Sequence, residues 1–382
     1  MPLKLARRGQ VPPFIAMDVL RAANQRAASG EDVLHLEVGQ PSTPAPAAVL
    51  AAARTALERE TLGYTDALGL PALREAIAAH YSDQYGVALD PGRIVVTTGS
   101  SGAFLLAFLA AFDPGDRIAM ATPAYPAYRN ILTALDLVPV ELPAGPPERY
   151  QMTLELLRRH TGRLDGLIVA SPANPTGTML APSELAGIAQ YCSDMGIRFV
   201  SDEIYHGIVF GATVATALAM TSEAIVVNSF SKYFSMTGWR LGWMVVPPDM
   251  VRTVECLAQN LYISPPALSQ HAAVAAFACR EELDANVARY AANRAVLLEE
   301  LPKAGFDRFA PADGAFYLYA DVAHMTNDSP EFCRRMLREI GVACTPGIDF
   351  DTARGDASLR ISFAGSTETI AEAARRLKAW RR

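Results

Sequence analysis

Six short apolar runs punctuate the middle of the chain: "RIVVTTG" (93–99), "RIAMATP" (117–123), "GLIVASP" (166–172), "IRFVSDE" (197–203), "AIVVNSF" (224–230) and "LGWMVV" (241–246). Most are apolar throughout rather than alternating, the pattern of parallel strands buried on both faces. Helical stretches lie between several of them, at 102–112, 124–135 and 182–195. This alternation constrains the fold to an α/β layer with a mostly parallel sheet flanked by helices. Ligands of such sheets sit beyond the carboxyl ends of the strands. Towards the C-terminus the pattern changes. A helical stretch from about Ala285 to Leu301 leads into "GAFYLYADV" (314–322), "VACTPG" (342–347) and "LRISFAG" (359–365). These read as a smaller α+β domain completed by the N-terminal segment. The expected division is a large domain over 45–284 and a small one from 1–44 with 285–382.

Bulk properties narrow the function classes. Apolar residues make up 51% of the 382 residues, enough for a large core. The net charge is −6, with mixed signs and no basic run, which argues against nucleic acid as a main partner. Five cysteines (Cys192, Cys256, Cys279, Cys333, Cys344) are scattered and form no C-x-x-C pair, so neither a disulfide framework nor a zinc knuckle is expected. The most apolar run, Ala103 to Phe112, is too short to span a bilayer. The opening "MPLKLARRGQVPP" has basic residues with no apolar stretch behind them, unlike a signal peptide. The expectation is a soluble, cytoplasmic protein without membrane association.

The chemistry-bearing residues follow the strands. "GSSGA" (99–103) opens an apolar helix, where a small-residue turn offers backbone N–H groups and hydroxyls to a phosphate. Alternatively, Ser100 or Ser101 is only an N-cap. "NPTG" (174–177) makes a turn that holds the Asn174 amide at a strand's carboxyl end. In "DEIY" (202–205), Asp202 closes a very apolar strand, which is costly unless the carboxylate is paired or exposed. A protonated ring nitrogen would be such a partner, and Tyr205 could reach the same pocket. Asp202, Glu203 and His206 lack the spacing of metal ligands, so no metal is expected.

Lys232 stands in "NSFSKYFSMTGWRLGW" (228–243), just after a strand ending near Phe230. Desolvation there would lower its pKa and leave a neutral amine for imine formation. Ser229 or Ser231, with Arg240, could bind a phosphate. In "LRISFAG", Leu359, Ile361 and Phe363 face one way, and Arg360, Ser362 and Ala364 the other. Arg360 is then either solvated or bound to an anion such as a substrate carboxylate. A lysine, an aspartate, a phosphate cradle and a carboxylate-binding arginine are what pyridoxal phosphate requires. The dinucleotide, P-loop and nucleophile-elbow motifs are absent.

The ordered set "SPANPTG", "SDEIY", "SFSKYFSMTGWRLGW" and "LRISFA" resembles the class I/II aminotransferases of the aspartate aminotransferase fold type, over nearly the whole chain from "EVGQPSTPAP" (37–46) onward. The resemblance implies a seven-stranded, mostly parallel sheet in the large domain. It implies that Lys232 forms the Schiff base and moves the proton between the substrate's α-carbon and the cofactor. Asp202 would pair with the pyridine nitrogen, and Tyr205 and Asn174 with the phenolic oxygen. Arg360, Gly39 and Asn174 would meet the substrate carboxylate. Ser100, Ser101, Ser229 or Ser231, and Arg240 would form the phosphate cup, and Tyr125 would stack on the ring. Tyr64 would reach the phosphate of a neighbouring subunit, which implies a homodimer with shared sites. The expected activity is a ping-pong transamination between an L-amino acid and a 2-oxo acid. A carbon–sulfur β-lyase on the same scaffold is the alternative. No second arginine for a side-chain carboxylate stands out; Arg21 and Arg129 are candidates only by proximity to matched segments.

Overall fold

The computed structural model describes residues 3–380. Seven strands build the main sheet: β1 (Ile94–Thr97), β2 (Arg117–Thr122), β3 (Val138–Pro143), β4 (Gly166–Ala170), β5 (Arg198–Asp202), β6 (Ile225–Ser229) and β7 (Gly242–Val245). Their order is β1-β7-β6-β5-β4-β2-β3. Only β7 runs antiparallel to its neighbours. Successive residues of a strand feed two cores. Ile168, Val200, Val227 and Met244 enter one; Leu167, Phe199, Val226 and Trp243 enter the other. This double burial explains why these strands read as continuous apolar runs.

The strand β3 is the one the apolar pattern does not announce. Its sequence "VPVELP" carries two prolines, which cannot donate to a ladder. It tolerates them because it lies at the sheet edge, paired only with β2.

Helix α1 (Ile15–Ala28) precedes the sheet, and α2 (Gly99–Ala111), α3 (Pro126–Ala134) and α4 (Pro182–Met195) follow β1, β2 and β4. Beyond the long helix α5 (Arg280–Glu300), β8 (Tyr317–Asp321) and β9 (Ser358–Ser362) form the centre of a four-stranded antiparallel sheet. The N-terminal segment joins this C-terminal part: Leu34 and His35 pair in parallel with Val342 and Ala343. The buried Asp349 carboxylate accepts the Ile15 and Ala16 N–H groups, each at 3.0 Å, at the start of α1.

One buried side chain fixes the segment around residues 65–70. Gln270 accepts the Leu70 N–H at 2.8 Å and donates to Thr65 Oγ1 at 3.0 Å and the Pro265 carbonyl at 3.1 Å. Gln270→Ala should cost on the order of 2–4 kcal/mol, because it leaves buried backbone groups unpaired. Urea unfolding measures this, and an unchanged midpoint would contradict the assignment.

Candidate active site

The carboxyl ends of the parallel strands, α1, and strands β8 and β9 enclose a cavity of about 440 Å³. Gly39, Ser100, Ser101, Tyr125, Asn174, Tyr205, Ser231, Lys232, Arg240 and Arg360 line it. The sequence-predicted residues thus converge, with three exceptions. Asp202 lies buried behind the wall. Ser229 is buried too; its hydroxyl sits 2.9 Å from that of Ser231 and donates to the Leu241 carbonyl at 3.2 Å, so Ser231 presents the hydroxyl to the cavity. Tyr64 is 83% exposed and outside the cavity.

Lys232 is the only one of the chain's four lysines that is not exposed. Its Nζ donates to the Gly39 carbonyl at 2.7 Å and lies 5.8 Å from the centre of the Tyr205 ring. Burial, reinforced by Arg360 and Arg240, pushes its pKa down to about 8 against the opposing pull of Asp202. Asp202 accepts the Tyr128 hydroxyl on one oxygen and the Ile204 N–H, at 3.1 Å, on the other. Burial nevertheless raises its pKa to about 6. Tyr128 escapes sequence reasoning, although its place three residues after Tyr125, at the start of α3, puts both rings on one side; their centres are 5.3 Å apart.

Arg360 is not solvated. Only 2% of it is exposed, and its guanidinium is flanked by Tyr317 and Phe350, with ring centres at 4.4 and 4.7 Å. It donates to Asn174 Oδ1 at 2.8 Å, to Thr345 Oγ1 at 3.3 Å and to the Glu37 carbonyl, while its buried Nε–H has no partner among the described residues. The alternation along β9 identifies its face; the packing of that face against the Tyr317 ring is what the sequence hides.

Helix α2 begins at Gly99, and its N-cap Thr98 makes no side-chain cap bond. Ser100 and Ser101 are therefore not N-caps, and they lie in the first turn facing the cavity. Arg240 adopts a left-handed backbone (φ 51°), which costs a non-glycine residue about 1–2 kcal/mol. Its guanidinium lies so close to Gly99 that a Cβ there would come within 2.6 Å of it. Glu203 and His206 belong to a separate network: Glu203 is bound by Ser201, Thr216 and Ala217, and His206 by Tyr85 and the Ser171 carbonyl. Among the described residues, no three His, Cys, Asp or Glu side chains cluster as metal ligands, and no helix is long and apolar enough to cross a membrane.

The family model "Aminotransferase class I and II" matches residues 31–377. The chain belongs to this aminotransferase family. It is 53% identical to the valine–pyruvate aminotransferase of Mycobacterium tuberculosis, over 99% of this chain and 98% of that protein. The crystal structure of an aminotransferase from Mycobacterium tuberculosis superposes with a TM-score of 0.98 at 53% identity, covering 99% of each chain. The aspartate aminotransferase of Thermus thermophilus with maleate superposes at 0.92 with 31% identity, over 99% of this chain and all of that one. The chain is thus a pyridoxal-phosphate-dependent enzyme that moves an amino group between an amino acid and a 2-oxo acid; the comparisons support this over the carbon–sulfur lyase.

The aminotransferase's own residues fit its cofactor. Lys232, Arg240 and Arg360 line the cavity without any carboxylate, a setting for two anionic groups. Asp202 is a buried carboxylate, its pKa raised by burial, whose hydrogen bonds among the described residues come only from Tyr128 and the Ile204 N–H; a protonated ring nitrogen would add a cationic partner. The Gly99 cradle and the first-turn N–H groups of α2 suit a phosphate.

Attack on the cofactor needs the neutral amine. The rate at which cofactor-free enzyme captures pyridoxal phosphate should therefore rise with pH to a midpoint near 8 and fall about tenfold per unit below it. Stopped-flow absorbance measures this; a midpoint above 10 would mean that Lys232 is not desolvated.

Proposed function

We propose that this aminotransferase works on amino acids and 2-oxo acids with small apolar side chains. The observation that carries this reading is the wall facing Lys232 and Arg360. Phe14, Met17 and Leu20, at the start and on the first turns of α1, join Val38 and Ile204 as an apolar lining. All the lining cations already have a role, since Lys232, Arg240 and Arg360 serve the cofactor and the α-carboxylate. Arg21 and Arg129 lie outside. Arg21 is exposed beside Asp18, and Arg129 donates to the Asp349 carbonyl at 2.6 Å and lies 3.6 Å from Glu141. A side-chain carboxylate would lie against this apolar lining with no counter-charge among the described residues, which disfavours it. The valine–pyruvate activity of the 53% identical relative agrees with this lining.

Bound pyridoxal phosphate supplies the electron-accepting ring that carries the amino group between the two substrates. The protein's part follows from the geometry. Arg360, held by its two flanking rings and three acceptors, offers its remaining N–H groups to the substrate's α-carboxylate, with the Asn174 amide beside it. Lys232 moves the proton at the substrate's α-carbon. Asp202, fixed by Tyr128, keeps a proton on the pyridine nitrogen. The α2 N-terminus, Ser100, Ser101, Ser231 and Arg240 hold the phosphate, with Ser229 orienting Ser231. Tyr125 covers the ring face, and Tyr205 binds the phenolic oxygen.

The exposed Tyr64 supports a homodimer in which it reaches the partner's phosphate. The pairing of the N-terminal segment with residues 342–343 supports the division into 45–284 and 1–44 with 285–382. The chain's composition supports a cytoplasmic location.

A panel of single amino acids, added to the loaded enzyme without an oxo acid, tests the substrate class. Alanine and branched donors should convert the cofactor's absorbance stoichiometrically, with aspartate and glutamate far slower; preference for the acidic pair would overturn the reading. Arg360→Ala should lower kcat/KM on the order of a hundredfold, roughly 2–3 kcal/mol. An unchanged kcat/KM for every donor would reject the carboxylate role.

A further inference from the structure

Tyr317 lies on β8 opposite Ser362 of β9 and reaches the cavity with a side chain that is 1% exposed. Three parts of the site meet on it. Its hydroxyl is 2.7 Å from that of Tyr205. Its ring packs against the Arg360 guanidinium at 4.4 Å. A Cβ on Gly39, whose carbonyl accepts the Lys232 amine, would come within 1.6 Å of the Tyr317 oxygen, so that backbone is packed onto the same hydroxyl.

We propose that Tyr317 is a positioning residue whose O–H donates to the Tyr205 oxygen and thereby commits Tyr205's own proton to the phenolic oxygen of the bound cofactor. The inference rests on the assignment of Tyr205 to that oxygen. A phenol has one proton to donate and can also accept. Burial raises the pKa of both tyrosines, so each keeps its proton at neutral pH. Only one of them can donate across the 2.7 Å contact. Among the described residues each hydroxyl has only the other as a hydrogen-bond partner, and Arg360 beside Tyr317 is donor-only. A Tyr205 proton given to the cofactor therefore leaves the 2.7 Å contact to the proton of Tyr317. Accepting a hydrogen bond also makes Tyr205 a stronger donor. The charged and titratable groups around the pair are Arg360 beside Tyr317, Lys232 near the Tyr205 ring, Asp202, and the phenol of Tyr125.

The test uses the holoenzyme and reads the pH titration of the bound cofactor's near-visible absorbance in the parent, Tyr205→Phe and Tyr317→Phe. A donor on the phenolic oxygen favours the state in which that oxygen carries full negative charge, and so lowers the pH of proton loss. Removing Tyr205's hydroxyl should raise the midpoint. Tyr317→Phe, which keeps the ring beside Arg360 and removes only the donor, should raise it by a smaller amount. If Tyr205→Phe raises the midpoint and Tyr317→Phe leaves it at the parent's value, the positioning role is wrong. If neither variant moves it, Tyr205 is not the cofactor's ligand, and the proposal falls together with that assignment.

Discussion

Three cationic side chains, Lys232, Arg240 and Arg360, converge on one cavity whose lining contains no carboxylate. Most features of the site answer to this concentration of positive charge. It reinforces burial in pushing the Lys232 amine down to a pKa of about 8, against the opposing pull of Asp202. It suits the cavity to anionic groups beside α2 and beside β9. Asp202 is withdrawn from the lining and held by Tyr128 and the Ile204 N–H, and it opposes the depression of the Lys232 amine only in part.

Assembling these charges takes both ends of the chain. Lys232, Asp202 and the turn at Gly99 follow strands of one mostly parallel sheet, so their spacing is set by a rigid layer. Arg360 comes from the antiparallel sheet formed after α5. Gly39 and the apolar residues of α1 come from the N-terminal segment, anchored through Leu34–His35 and through Asp349 at the head of α1. Gly39 sits where these parts meet. Its carbonyl holds Lys232, and its missing side chain makes room for Tyr317. The strand ends thus hold Lys232 and Asp202, and the two chain ends supply Gly39, Arg360 and the apolar lining from α1.

Much of this was legible in the sequence, for physical reasons. Strands buried on both faces read as unbroken apolar runs, and six of the seven announce themselves that way; β3 does not, because an edge strand accommodates prolines that disguise it. Lys232, Asp202, Asn174 and Arg240 follow strands or turns that can be located from the chain alone. Arg360 could be assigned to a face of β9, but a single strand's alternation cannot say that the polar face is covered by Tyr317 and Phe350. Tyr128 and Tyr317 were hidden because their partners are far away in the chain, 74 and 112 residues distant. The sequence left Ser229 and Ser231 as alternatives; packing distinguishes the serine that faces the cavity from the one behind it. Tyr64's expected target lies beyond a single chain, and its exposure is all that one subunit can display.

The most direct test of the central claim is covalent. The cofactor-loaded enzyme is reduced with borohydride and digested, and the peptides are weighed. The chain has only four lysines, and Lys4, Lys303 and Lys378 are exposed. One pyridoxyl phosphate adduct is expected, on the peptide that contains Lys232. An adduct on any of the other three, or none at Lys232 in fully loaded enzyme, would contradict it.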